Sequence, residues 1–346
     1  MTGYLDPFGG ETTTWPYTRW TSGEREIGFA ATELVPSWTG DAPKGAWLRI
    51  ELRARTTGGA LTKWYDMGRW AEGGGDIHRT SLPGQGDGDG DVVVDTFVAA
   101  RPVTAYTLRI TLHGEDAAVR SVAVMASAVP TRASAPASPP GAGPEVDLEV
   151  PPRSQMTHTG HHPEWGGGGA SWCSPASMTM VLQYWGRGPV PEDLAFVDAG
   201  DPCPAVDHAA RDMYDHSYQG TGNWPFGVAY AGRYGLSGFV TRLRSLTEVE
   251  RFIRAGIPVI TSQSFKEHEL PGSGYSTSGH LMVVTGFTAS GDVIANDPAA
   301  PSDETVKRTY PRAAFENVWL RTTSSGGIVH VIHPPGIPLP PSEGNW

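Results

Sequence analysis

Cys173, one of only two cysteines in 346 residues, stands where a thiol could act as a nucleophile. It lies between Trp172 and a Ser174-Pro175 pair, after a glycine run at 166–169. Met178, Val181, Leu182 and Trp185 then fall at helical spacing, one stripe of an amphipathic helix. Proline is tolerated in the first turn of such a helix, and Gly186 stops it. At a helix start, free N–H groups and the macrodipole favour the thiolate. A packed thiol is the competing reading, because free cysteine is often a small hydrophobe.

A cysteine nucleophile needs a base, and the base needs a group that orients it. Eleven histidines are available, and His280 is the best placed of them. Gly279 precedes it, a strand pattern follows, and a turn leads into a second strand that reaches Asn296, Asp297 and Pro298. Asn296 and Asp297 are both candidates to hold the second imidazole nitrogen. Cysteine at a helix start, histidine on a strand and Asn/Asp one hairpin later are more specific together than apart.

Two other groups carry potential chemistry. Cys203 sits between Pro202 and Pro204, away from any helix dipole, and is read as structural; a disulfide to Cys173 would silence the thiol. His158, His161 and His162 form an H-x-x-H-H run of zinc-ligand type. A regular site carries a second spaced pair, and no Cys/His pair of that kind is present. The run is therefore read as a solvated or substrate-facing loop, with no metal and no cofactor assigned.

The elements that must position these residues divide at 129–147, a stretch rich in Pro, Ala, Ser and Gly that reads as a semi-rigid linker. Upstream, residues 1–128 show period-two alternation, as in Leu48, Ile50 and Leu52 against Arg49, Glu51 and Arg53. Several such runs predict an all-β sandwich or jelly-roll. Its aromatics (Trp15, Trp20, Trp38, Trp47, Trp64, Tyr65 and Trp70) are assigned to packing, a glycan-binding face being the alternative. Asp87, Asp89 and Asp91 fail the EF-hand pattern, which wants Gly and Glu where Val92 and Val98 stand, and are read as an acidic turn. Downstream, residues 148–346 place helices before strands, an α+β order, with a capping box at Thr247 and Glu250. Trp224 and Phe226 are expected in a loop and helix near the cleft.

A formal net charge of −11 argues against nucleic acid and anionic membrane surfaces as partners. No run is long enough to span a membrane, and the first residues lack the basic start and apolar core of a secretory signal.

"SWCSPASMTMVLQYWG" together with "GHLMVVTGF…GDVIANDP" closely resembles the actinobacterial members of the double-glycine peptidase-like group, cysteine-peptidase family 39. The resemblance covers about 150–333 and implies a papain-like cysteine peptidase fold acting on a peptide or protein substrate. It implies Cys173 as nucleophile, His280 as base and acid, and Asp297 as orienter, the family pattern being Asp followed by Pro; Asn296 is the papain-like alternative. It also implies an upstream glutamine, here Gln155, as oxyanion donor, although fourteen residues of glycine-rich insertion, "THTGHHPEWGGGGA", lie between Met156 and Ser171. Ser174 replaces the usual glycine after the cysteine and narrows the cleft. Trp172, Ser174, Trp224 and Phe226 are the candidate substrate-binding residues. The upstream segment looks like the accessory domain of such proteins. An exported protein whose signal is absent from this chain is the favoured compartment, the cytoplasm the alternative. The same fold would also serve a silent binding protein, or a ligase or cyclase that passes the acyl group to an amine.

Overall fold

Period-two alternation builds the first 128 residues into strands, and a computed structural model describes residues 1–9, 12–75, 77–141 and 143–346. Residue 142 of the linker thus lies outside the described residues. The chain forms two compact units, Met1–Ala128 with Arg211–Arg233, and Val129–Ala210 with Tyr234–Trp346. Among the described residues the α-helices are α1 (Cys173–Tyr184), α2 (Pro204–Met213), α3 (Trp224–Arg233), α4 (Leu246–Arg254) and α5 (Arg312–Leu320).

In the first unit, β1 (Thr2–Leu5) and β2 (Thr12–Trp15) form a ribbon. The other strands are β3 (Tyr17–Thr21), β4 (Arg25–Asp41), β5 (Trp47–Thr56), β6 (Tyr65–Trp70), β7 (Gly90–Val93), β8 (Thr96–His113) and β9 (Ala118–Ser127). They join into one antiparallel sheet in the order β6-β5-β8-β4-β9, with β3 and β7 added on β8. The expected sandwich or jelly-roll therefore resolves into a single hydrogen-bonded sheet plus a ribbon. The reason is the length of β4 and β8, 17 and 18 residues. Register shifts between Glu26 and Ala31 and between Ala31 and Glu33 break the β4–β8 ladder, so one long strand serves successive partners. Leu48, Ile50 and Leu52 are buried as the alternation requires. Trp15, Trp38, Trp47, Tyr65 and Trp70 are buried too, which makes them core, whereas Trp20 is exposed. In the acidic turn, Asp87 accepts the Tyr65 hydroxyl at 2.5 Å and Asp89 pairs with Arg101.

Residues 211–233 belong to this unit, although the linker boundary assigns them to the second. Asp95 accepts the Trp224 backbone N–H at 2.7 Å, and Phe226 packs against Trp38 and Trp70 at ring separations of 6.2 and 5.5 Å. Phe226 is therefore core of the first unit rather than a cleft wall, and Trp224 opens a helix of that unit. Phe226→Ala is expected to destabilise the first unit by about 3–5 kcal/mol, the usual cost of emptying a buried aromatic site. Chemical denaturation followed by tryptophan fluorescence measures this, and a change under 1 kcal/mol, well below that range, would contradict the packing.

The second unit contains β10 (Val146–Asp147), β11 (Ser237–Arg242), β12 (Val259–Phe265), β13 (Thr277–Phe287), β14 (Val293–Asn296), β15 (Lys307–Tyr310) and β16 (Ile328–His333). Its sheet is antiparallel in the order β11-β16-β12-β13-β14-β15, with β10 pairing β13. Helix α1 packs on β13, and Ser174 through Leu182 are all buried, so the helix is enclosed rather than amphipathic. Helix α4 is capped by Ser245, whose Oγ accepts the Glu248 N–H at 3.2 Å. The sequence-read cap at Thr247 thus lies two residues late. The segment read as a linker is strapped onto this unit: Ala135, Ser138 and Gly141 donate their N–H groups to Asn317, Glu316 and Glu250. Proline leaves such a segment few donors, and acceptors on α4 and α5 take them. No helix among the described residues is long and apolar enough to cross a membrane.

Candidate active site

Cys173 is the first residue of α1, and His280 stands near the start of β13 with a relative exposure of 4%. The thiol is free and only partly covered. Burial works to raise its pKa, but hydrogen bonding to the His280 ring, together with the N–H groups of Leu281 and Ser174, holds it below the usual thiol value. The imidazole responds in the opposite sense. Desolvation lowers its pKa, Asp297 and then Cys173 outweigh that, and the ring is held up at about 10. Both shifts favour the thiolate–imidazolium form of the pair.

The second ring nitrogen, Nε2, lies 2.8 Å from Asp297 Oδ1. This carboxylate is fully buried just after the end of β14. Burial raises its pKa, but His280, the Tyr310 hydroxyl and the Ala299 N–H bring it down to about 2. Tyr310 donates to Oδ2 at 2.6 Å, and the Tyr275 hydroxyl lies 3.0 and 2.9 Å from the two oxygens. Tyr275 also meets the His280 ring edge-on at 5.5 Å. Cys173 and His280 thus shift each other's pKa, and His280 is hydrogen-bonded in turn to Asp297.

Asn296 does not join it. Successive side chains on a strand point to opposite faces, and Asn296 donates its amide to the Val150 carbonyl at 3.1 Å instead. As the alternative orienter, Asn296 is excluded by that orientation.

Gln155 reaches this region despite the insertion. Its backbone N–H donates to the Pro298 carbonyl at 2.8 Å, directly after Asp297, and Ser154 is bonded to Ala300 and Asp303. The Gln155 side chain is 2% exposed and donates Nε2 to the Gly169 carbonyl, four residues before Cys173. That acceptor fixes the amide orientation and leaves the second N–H of the group for another acceptor. The insertion folds back on itself at Gly168, with φ +64°, where a side-chain Cβ would stand 1.8 Å from the His158 carbonyl oxygen.

The remaining sequence candidates separate. Trp172 is fully buried, with its indole N–H on the Trp165 carbonyl at 2.8 Å, so it packs behind the thiol rather than touching a substrate. Ser174 is buried and contributes its backbone N–H to the sulfur. Trp224 and Phe226 belong to the first unit. Cys203 is a free, buried thiol whose pKa burial pushes up, with Gln183 Nε2 at 3.6 Å. The H-x-x-H-H run is not a solvated loop: His158 is 1% exposed.

Sequence reading missed the two tyrosines and Gln263. Tyr275 and Tyr310 carry no motif, and only the fold brings them to Asp297, from the bend before β13 and from the end of β15. Gln263 is the cross-strand partner of His280, buried with neither amide atom hydrogen-bonded. Directly paired residues of antiparallel strands share a face, so the amide lies beside the imidazole.

Two family models match the chain. Residues 1–127 match the Peptidase C39 N-terminal domain, and residues 147–326 match the Peptidase_C39 like family. No curated protein matches. A crystal structure described as a C39-like peptidase from Bacillus anthracis shares 19% identity, over 55% of this chain and 98% of that one, with a TM-score of 0.34. With the second model spanning more than half of its length, this chain belongs to the C39-like peptidase family.

Proposed function

We propose that the protein is a cysteine peptidase-like hydrolase that cuts a peptide or amide bond through a Cys173 thioester. The second unit is read as a papain-like fold and residues 1–128 as its accessory domain. The observation that carries the reading is the series Cys173–His280–Asp297, in which thiol and imidazole are shifted toward an ion pair.

The thiolate attacks the substrate carbonyl carbon, and the C–S bond forms as the carbonyl oxygen takes the negative charge. The free amide N–H of Gln155 and the backbone N–H of Cys173 are the donors for that oxygen, a contribution of about 3 kcal/mol in comparable sites. The His280 imidazolium gives its proton to the leaving nitrogen, the C–N bond breaks, and a thioester remains. Water then attacks the thioester while His280 takes its proton. Collapse breaks the C–S bond, releases the acid and restores the thiolate–imidazolium pair. Asp297 holds the ring through Nε2, so that Nδ1 is the atom that exchanges protons with sulfur.

Alkylation with iodoacetamide, mapped by peptide mass spectrometry across pH, tests the nucleophile. Cys173 is expected to react selectively near neutral pH, with an inflection below the ordinary thiol value of 9.0. In His280→Ala burial becomes the largest remaining influence, and the inflection is expected to move to about 9 or above. Equally slow labelling of Cys173 and Cys203 would overturn the proposal.

A further inference from the structure

The H-x-x-H-H run meets two aspartates that lie more than forty residues downstream. Asp207 stands in the first turn of α2 and Asp201 just before it. His158 Nδ1 lies 2.8 Å from Asp207 Oδ2 and 3.4 Å from Asp201 Oδ2. His161 Nδ1 lies 3.1 Å from Asp201 Oδ2 and 3.1 Å from Asp207 Oδ1. One ligand atom from each of the four residues falls within 4.8 Å of every other.

Hydrogen bonding accounts for one of these contacts, His161 Nδ1 with Asp207 Oδ1 at 3.1 Å, and leaves the others unexplained. His158 Nδ1, Asp201 Oδ2 and Asp207 Oδ2 are all buried without a hydrogen-bond partner, even though they lie close to one another. Their side chains are 1%, 0% and 0% exposed. Three buried polar atoms at such distances, none aligned on another, fit lone pairs aimed at a common point between them. Two buried carboxylates also require compensating charge. Among the described residues, the ion-pair partners of both are imidazoles alone.

A tetrahedral zinc site with bonds of about 2.0–2.2 Å has ligand–ligand edges of about 3.3–3.6 Å. The four imidazole–carboxylate contacts above run from 2.8 to 3.4 Å, with Asp207 offering a different oxygen to each imidazole, and one ligand atom from each residue stays within 4.8 Å of the others. Imidazole with carboxylate suits zinc, and two neutral imidazoles with two carboxylates neutralise a divalent ion. Outer contacts hold the ligands in place: Asp201 Oδ1 accepts the Cys203 N–H at 2.7 Å. His162 is turned aside, stacked on Trp165 at 4.5 Å, with its Nε2 3.8 Å from Asp207 Oδ1.

We propose that His158, His161, Asp201 and Asp207 form a tetrahedral site for a zinc-class divalent cation. The ion would clasp the insertion before Cys173 to the start of α2. The His158 ring lies 6.1 Å from that of Trp172, whose neighbour is the thiol. The clasp would thus set the path of the chain entering α1.

The test uses the full chain without an affinity tag, stripped with a chelator and titrated with zinc alone by calorimetry, with metal content read by plasma mass spectrometry. One zinc per chain is expected. Asp207→Asn and His161→Gln should each weaken binding by at least about 100-fold, and His162→Gln by less than about 3-fold, given how steeply affinity falls when ligand shells are disturbed. His161 is 35% exposed, so its variant remains informative where Asp207→Asn impairs folding, which circular dichroism reports. Cobalt(II) loading should give the intense visible bands of tetrahedral coordination. No stoichiometric zinc, unchanged binding in both ligand variants, or a weak octahedral cobalt spectrum would each overturn the site. The readout is independent of hydrolysis, since Cys173→Ala should bind zinc as the native chain does.

Discussion

Cys173→Ala is expected to abolish amide-bond cleavage, a loss of about six orders of magnitude, while the chain stays folded. Removing the nucleophile of a covalent mechanism removes the thioester route altogether, and residual rate comes only from binding and oxyanion donors. The fold should tolerate the change because the thiol is partly exposed and His280 keeps its bond to Asp297 at 2.8 Å. A peptide library digested in ¹⁸O-labelled water and read by mass spectrometry supplies the measurement. The native chain should leave new carboxyl termini carrying one ¹⁸O; the variant should leave none above background, and so should Cys173→Ser, whose hydroxyl is not ionised as a low-pKa thiol is. Persistent cleavage by Cys173→Ala would remove the cysteine from the mechanism.

Asp297→Asn is expected to cost about 10⁴-fold in kcat, the scale seen when a buried carboxylate that fixes a catalytic imidazole becomes an amide. The physical reason is tautomeric. Tyr310 and Tyr275 donate to the Asp297 oxygens, so an amide there keeps its oxygen toward the phenols and turns its NH₂ toward His280 Nε2. Nε2 must then accept, the ring proton moves to Nδ1, and the atom facing sulfur can no longer take a proton. Asn296→Ala, at the neighbouring position, should change kcat by less than about 10-fold, since its amide serves Val150. Equal losses at the two positions would reduce Asp297 to a packing role. Acid stability supplies an independent reading. The Asp297 pKa falls from 3.8 unfolded to about 2 folded, so its contribution is complete above about pH 3.8 and is lost as pH falls through 2. Thermal unfolding between pH 5 and 2 should therefore decline less steeply in Asp297→Asn than in the native chain.

How far the site was legible depends on the range of the signal. The cysteine at a helix start and the histidine on a strand are local patterns, and each stands in the expected element. The choice between Asn296 and Asp297 turns on which face a side chain takes where a strand ends, which residue types alone leave open. Tyr310 reaches Asp297 from β15, paired with β14, and Tyr275 reaches it from the bend that leads into β13, so the contacts are spread over three distant stretches of chain. Asp201 and Asp207 were missed because the search for a second pair was confined to Cys and His, whereas carboxylates complete the cluster. The fold failed to show itself where length mattered. Period-two runs mark strands but not where a strand bends and changes partner, so β8 reads as two short strands and β4 shows no run at all. Composition located the 129–147 segment, yet its proline content concealed that buried acceptors on α4 and α5 hold it down.

The lodging of residues 211–233 within the first unit has a consequence for the gene. A recombination joint or an expression boundary placed in the proline-rich segment would deliver the second parcel with a foreign helix attached, and the first with a hole where Phe226 belongs. The two parcels are therefore heritable only as a pair. A viable donor of either one would have to exchange two separate stretches of coding sequence at once.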